Sequence, residues 1–198
     1  MIRLFLLLTL FAGFAQANDI AVIAIKLPDE KRPRNVTIEL FNNDAPNTVA
    51  NFEKLARRKF YKNIAFHRAF PNKMVQTGDP ASRRKKSNTT VGVGGPGYTV
   101  PAEIRRHHVR GSVAMGRLPN KINPNKASNG SQFYVTLVPM PTLDGEYTVF
   151  GQVTDGLDVI QKISNLTTDS NDSPVQRVYI KSVTIYPASA EAPQAKMD

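Results

Sequence analysis

The sequence predicts a mainly β domain, an antiparallel barrel or sandwich that carries two helices. Three observations predict it. Short apolar stretches recur at 20–27, 34–41, 64–70, 74–77, 112–116, 132–138, 147–153 and 177–186, with Gly, Pro, Asn and Asp between them. Two segments switch to helical spacing, one following "NNDAP" and one within "DGLDVIQKIS". A length of 198 residues with 41% apolar content suits one domain with a sizeable core.

The first element is a leader. "MIRLFLLLTLFAGFAQAND" has a basic start ending at Arg3, an apolar run from Leu4 to Phe14, and small residues at Ala15 and Ala17. This is the pattern of a signal peptide over 1–17, cleaved after Ala17. The run is shorter than the roughly 20 residues a spanning helix needs, so the mature chain is expected to carry no transmembrane segment. Export follows, to a periplasm in preference to release from the cell. The sequons at Asn35, Asn88, Asn129 and Asn165 argue against a eukaryotic secretory route, where each would accept a glycan.

The domain proper is expected over 18–186. "IAVIAIKL" and "RNVTIELF" read as a hairpin joined by "PDEKRP", with Val36, Ile38 and Leu40 inward and Thr37 and Glu39 outward. In "NNDAPNTVANFEKLARRKFY", Val49, Phe52, Leu55 and Ala56 share one helical face. Asp44 or a neighbouring Asn is the expected cap, Pro46 opens the first turn, and Arg57, Arg58 and Lys59 complement the dipole at the far end. The second helix places Leu157, Ile160 and Ile163 together. Residues 187–198, "PASAEAPQAKMD", read as a disordered tail.

Composition excludes several chemistries. No cysteine means no disulfide, no thiol nucleophile and no sulfur-bound zinc. The histidines are His67, His107 and His108, without carboxylates at metal-binding spacing, so no metal is expected. If His107 and His108 lay in a strand they would point to opposite faces. Gly92 to Gly97 fits G-x-G-x-x-G, yet Pro96 and "YTVP" follow where a dinucleotide loop must open a helix, so it reads as a surface loop. No G-x-S-x-G elbow exists. The net charge of +10 favours acidic partners, anionic lipid or nucleic acid, and export weakens the last of these. Arg83, Arg84, Lys85 and Lys86 form the densest cluster, a solvated loop or a docking patch for acidic partners.

The segments "FHRAFPNKMVQTGDP", "GGPGYTVPAEI", "GSVAMGRLPN", "SNGSQFYVTL" and "TLDGEYTVFGQVTDGLDVI" follow one another at compatible intervals. In these blocks the chain resembles the cyclophilin family of peptidyl-prolyl isomerases, from about residue 19 to 186, with loops most like those of bacterial members. The resemblance implies a closed eight-stranded antiparallel β-barrel capped by two α-helices, with an active groove on its outer face. It implies that Arg68 is catalytic, with Phe66 and His67 supporting it. Met74, Gln76, Gly116, Arg117, Gln132, Phe133, Tyr134, Leu143 and Tyr147 are the implied substrate-binding set. Proline-containing peptides and unfolded or partly folded proteins are the implied partners, with no cofactor.

Three positions depart from the family pattern. Lys73 stands where a phenylalanine usually lines the proline pocket, and its stem could lie along that pocket with the amine in water. Thr77 replaces a glycine. Thr142 replaces a common tryptophan, which implies weakened cyclosporin binding. The competing reading is a non-catalytic module or chaperone that holds proline-containing or acidic partners in the groove and on the basic loop.

Overall fold

A computed structural model describes residues 18–83 and 90–188. The expected leader over 1–17, residues 84–89 with Arg84, Lys85 and Lys86, and residues 189–198 of the expected tail lie outside the described residues. Among the described residues no helix is long and apolar enough to cross a membrane.

Among the described residues, ten strands and two α-helices follow one another: β1 (Ile20–Lys26), β2 (Arg34–Leu40), α1 (Pro46–Arg57), β3 (Arg68–Phe70), β4 (Met74–Thr77), β5 (Thr99–Val100), β6 (Ser112–Met115), β7 (Ser128–Asn129), β8 (Phe133–Thr136), β9 (Val149–Asp155), α2 (Leu157–Ser164) and β10 (Tyr179–Tyr186). Eight of them form one sheet in the order β10-β1-β2-β9-β6-β8-β4-β3, and β5 pairs with β7 apart from it. Neighbours in the large sheet are antiparallel throughout. The sheet curls until its ends approach. There the chain just before β3 bonds to β10: Asn63 N–H to Ile180 O at 2.7 Å, Ile180 N–H to Ile64 O at 2.9 Å and Phe66 N–H to Val178 O at 3.0 Å.

The core lies inside this curl. β2 buries Val36, Ile38 and Leu40 while Thr37 and Glu39 stay partly exposed, as period-2 alternation requires. α1 packs Val49, Phe52, Leu55 and Ala56 inward, and Phe52 meets Tyr61, Phe133 and Phe150 at ring-centroid distances of 5.2–5.6 Å. α2 contributes Val159, Ile160 and Ile163.

The cap of α1 corrects the sequence-based expectation. Ala45 is the N-cap and makes no side-chain bond. Asp44 instead pairs with Arg106. The N–H groups of Asn47 and Thr48, which have no partner within the helix, are satisfied by Glu103, at 3.0 and 2.8 Å, and its carboxylate also accepts from both of their side chains. An anion at the positive end of a helix is favourable wherever in the sequence it comes from.

Candidate active site

Where β3 begins, the chain leaves the core. Phe66 and His67 precede the strand and are buried, whereas Arg68 is its first residue and is exposed. A strand end therefore separates the surroundings of these consecutive residues. The Arg68 guanidinium makes no hydrogen bond or ion pair with any described residue. Its register partner across the ladder is Gln76.

Arg68 forms one wall of a groove of about 260 Å³. β3 and β4 also supply Phe70, Met74 and Gln76 to it, and β8 supplies Tyr134. Leu143 and Tyr147 come from the loop before β9, and Gly116 and Arg117 from the end of β6. Met74, Leu143 and Tyr147 pack on a small apolar cluster of Phe41, Ala114, Tyr134 and Val149, distinct from the main core. The result is an apolar floor beside a cation that has no partner among the described residues.

Polar groups fix the lining next to it. Gln76 Nε2 donates to Gln132 Oε1 at 2.8 Å, and Gln132 Nε2 donates to Gly94 O at 2.7 Å. The loop carrying Gly94 is held by a buried carboxylate: Asp79 accepts from the N–H groups of Gly92 at 2.6 Å and Gly94 at 3.0 Å. The glycine-rich stretch is thus an anchored groove wall rather than a free surface loop, because two of its amides are tied to Asp79 and Gly92 and Val93 line the groove. Gly116 spends both backbone groups internally, its N–H on Gln132 O and its O on Asn129 N–H. The Arg117 backbone has no such bond among the described residues. The Arg117 side chain is buried over the Tyr147 ring, 4.7 Å from its centroid, and paired with Glu146 at 2.6 Å.

Phe133 requires correction. It was expected to bind substrate, but its side chain is 1% exposed and packs into the main core against Phe52, Tyr61 and Phe150. On β8, Tyr134 faces the groove, and alternation turns Phe133 away. Lys73 is exposed in the β3–β4 turn and does not line the groove, so its stem replaces no aromatic wall. Thr142 is exposed and outside the lining; Thr77 is buried and donates to Ala65 O at 3.0 Å. Arg83 turns onto its own chain, donating to the carbonyls of Phe60 and Lys62. The lining also includes Phe70, Val93, Leu118, Asn129 and Met140, which sequence reasoning missed. Isolated residues in loops and at the ends of very short strands carry no pattern that would mark them.

His67 is buried beneath the arginine, and neither ring nitrogen has a partner among the described residues. Burial lowers its pKa to about 4, against the opposing pull of Asp79. The other histidines both meet Asp144: His107 Nδ1 at 2.9 Å and His108 Nδ1 at 2.8 Å. They lie in an extended loop, not a strand, so opposite-face alternation does not govern them. No group of three or more His, Asp or Glu able to hold a metal occurs among the described residues.

The family model described as cyclophilin type peptidyl-prolyl cis-trans isomerase matches residues 25–185. The chain belongs to the cyclophilin family. Among its relatives, peptidyl-prolyl cis-trans isomerase-like 1 of Emericella nidulans is 40% identical over 158 residues, which cover 78% of this chain and 91% of the relative. The protein of the same name from Aspergillus oryzae is 43% identical over 147 residues, 73% of this chain and 84% of the relative. A crystal structure of a Cryptosporidium parvum cyclophilin type peptidyl-prolyl cis-trans isomerase superposes with a TM-score of 0.73 at 28% identity, covering 89% of this chain and 99% of that one. The same protein in the presence of the dipeptide Ala-Pro gives a TM-score of 0.71. These cyclophilin relatives are fungal and apicomplexan, so they lend no support to the bacterial likeness expected from the loops.

Proposed function

We propose that this cyclophilin accelerates rotation about X–Pro bonds in the described groove, with Arg68 as its catalytic residue. The observation that carries the proposal is the position of Arg68: an exposed guanidinium, without a partner among the described residues, on the wall of a hollow with an apolar floor. An X–Pro amide resists rotation by about 20 kcal/mol because the nitrogen lone pair is conjugated with the carbonyl. As the bond twists, that lone pair localises and the nitrogen becomes a hydrogen-bond acceptor. A donor placed beside it binds the twisted amide better than the planar one, which is the condition for acceleration. Arginine stays protonated and offers a rigid fork. A gain of about 10⁵ in rate requires about 7 kcal/mol of such preference.

The remaining parts have matching tasks. Met74, Tyr134 and Leu143 would seat the proline ring, Gln76 the neighbouring peptide group, and the Arg117 backbone the extended chain. Gln76 suits its task because Gln132 fixes its amide nitrogen while its oxygen has no partner among the described residues. No nucleophile or cofactor is required for a rotation.

The leader pattern of residues 1–17 supports export, and proline-containing segments of exported, incompletely folded proteins are the proposed substrates. Docking of acidic partners would rest on Arg84, Lys85 and Lys86, since Arg83 is engaged with its own chain. Cyclosporin is expected to bind weakly, because Thr142 offers no indole to it. A protease-coupled proline-peptide assay on wild type and Arg68→Ala tests the proposal. Turnover in the first and a loss of about a hundredfold or more in the second supports it; equal traces in both point to a groove that only binds.

A further inference from the structure

His108 lies outside the groove, yet four of the groove's residues are tied to it or to its partner. The residue is 2% exposed. Its Nε2 is 2.9 Å from the Tyr134 hydroxyl, and the two rings lie within 4° of a common orientation. Its Nδ1 and its backbone N–H both meet Asp144 Oδ1, at 2.8 and 2.7 Å. Asp144 directly follows Leu143. The His108 carbonyl accepts the N–H of Met140 at 3.0 Å, and its ring meets Tyr147 edge-on at 6.4 Å. One buried imidazole thus joins β8 to the 140–147 loop, the two sides of the apolar floor.

The hydrogen positions follow from the acceptor. The Asp144 carboxylate is held down at about 2, first by the His108 backbone N–H and next by its ring, so it is ionised and can only accept. Nδ1 therefore carries a hydrogen. In the neutral ring Nε2 is then an acceptor, and the Tyr134 hydroxyl donates to it. This matters because tyrosine brings a polar atom to an apolar floor. A buried hydroxyl without a partner is unfavourable, and a free one would turn towards the groove to find one.

We infer that His108, oriented by Asp144, is a positioning residue for the proline pocket: it holds the Tyr134 hydroxyl at the rear so that the ring presents only its apolar surface to the substrate. The inference rests on the isomerase reading of the groove. It assigns His108 to substrate seating and not to amide rotation, since His108 lies outside the groove that Arg68 lines.

The test compares His108→Leu and His108→Gln in two backgrounds, the natural chain and Tyr134→Phe, with kcat and KM measured for a proline tetrapeptide and Tm for each protein. In the natural chain, His108→Leu should raise KM about tenfold while kcat changes less than about twofold. His108→Gln, which can still accept the hydroxyl, should recover most of that loss and serves where the leucine variant folds poorly. In the Tyr134→Phe background, the change at 108 should shift KM by no more than about twofold, because no hydroxyl remains to be held. An unchanged KM in both His108 variants, or an equal penalty in both backgrounds, overturns the inference. Absence of turnover in the natural chain would overturn the isomerase reading instead. Calorimetric affinity for the same peptide then supplies the same comparison.

Discussion

Arg68 and Gln76 are register partners on β3 and β4, and they are held in opposite ways: Gln76 is fixed by Gln132 at 2.8 Å, while the Arg68 guanidinium has no described partner. A fixed amide beside an uncommitted cation suits a site that grips the planar peptide with one group and the twisted amide with the other. Arg68→Lys keeps the charge and removes the planar fork. It should lower kcat about ten- to a hundredfold with KM within about threefold, because the lost bond exists mainly in the twisted state. A rise in KM with kcat unchanged would place Arg68 in binding only.

Asp79 acts at one remove. It accepts the N–H groups of Gly92, Gly94 and Ala81 from a fully buried position. Asp79→Ala leaves these donors without their acceptor and loosens the wall that carries Val93 and steadies Gln132. A stability loss of about 2–4 kcal/mol is expected in urea titration, together with a raised KM. Unchanged KM at temperatures where the variant is folded would show that the loop does not shape the groove.

Acid lability should trace to His67. Its folded pKa of about 4 lies below the ordinary histidine value, chiefly through burial, so the unfolded chain binds the proton more readily between about 6.5 and 4. Its share of stability is complete above about pH 6.5 and is lost as pH falls towards 4, by on the order of 3 kcal/mol. Denaturant titrations of wild type and His67→Leu between pH 7 and 4.5 measure this. The leucine variant should show the shallower decline, and parallel declines would remove His67 as the cause.

Lys73 lies in the exposed turn next to Met74, just outside the groove lining. Lys73→Phe, placed in the turn beside Met74, should add apolar surface to the groove's edge and lower KM for proline peptides about three- to tenfold. An unchanged KM would mean that the turn holds position 73 away from the substrate.

Much of this fold was legible because its signals are local. The β1–β2 hairpin and α1 follow from alternation and from the Val49, Phe52, Leu55 and Ala56 spacing, and the structure places them within a residue or two of those patterns. What escaped depends on distant pairing. The carboxylate on the α1 terminus comes from Glu103, more than fifty residues away, so no local capping signal marks it. β8 reads "FYVT" and is buried on both faces, so polarity cannot tell that Tyr134 looks to the groove and Phe133 to the core. Register decides it, and register is set by β4 and β6. The binding of His108 to Tyr134 and Asp144 likewise joins three loop and strand positions that share no sequence neighbourhood.

The seam between β10 and residues 63–66 carries a consequence for biogenesis. β10 spans Tyr179–Tyr186, and its backbone bonds reach the stretch leading directly into Arg68. A polypeptide emerging from its N-terminal end can assemble the first hairpin and α1 early. It cannot lock the approach to its arginine until some hundred further residues have appeared, a high-contact-order closure that is inherently slow. A protein whose work concerns the slow steps of other chains therefore completes its own working face only after the strand that closes it, far along the chain, has been made.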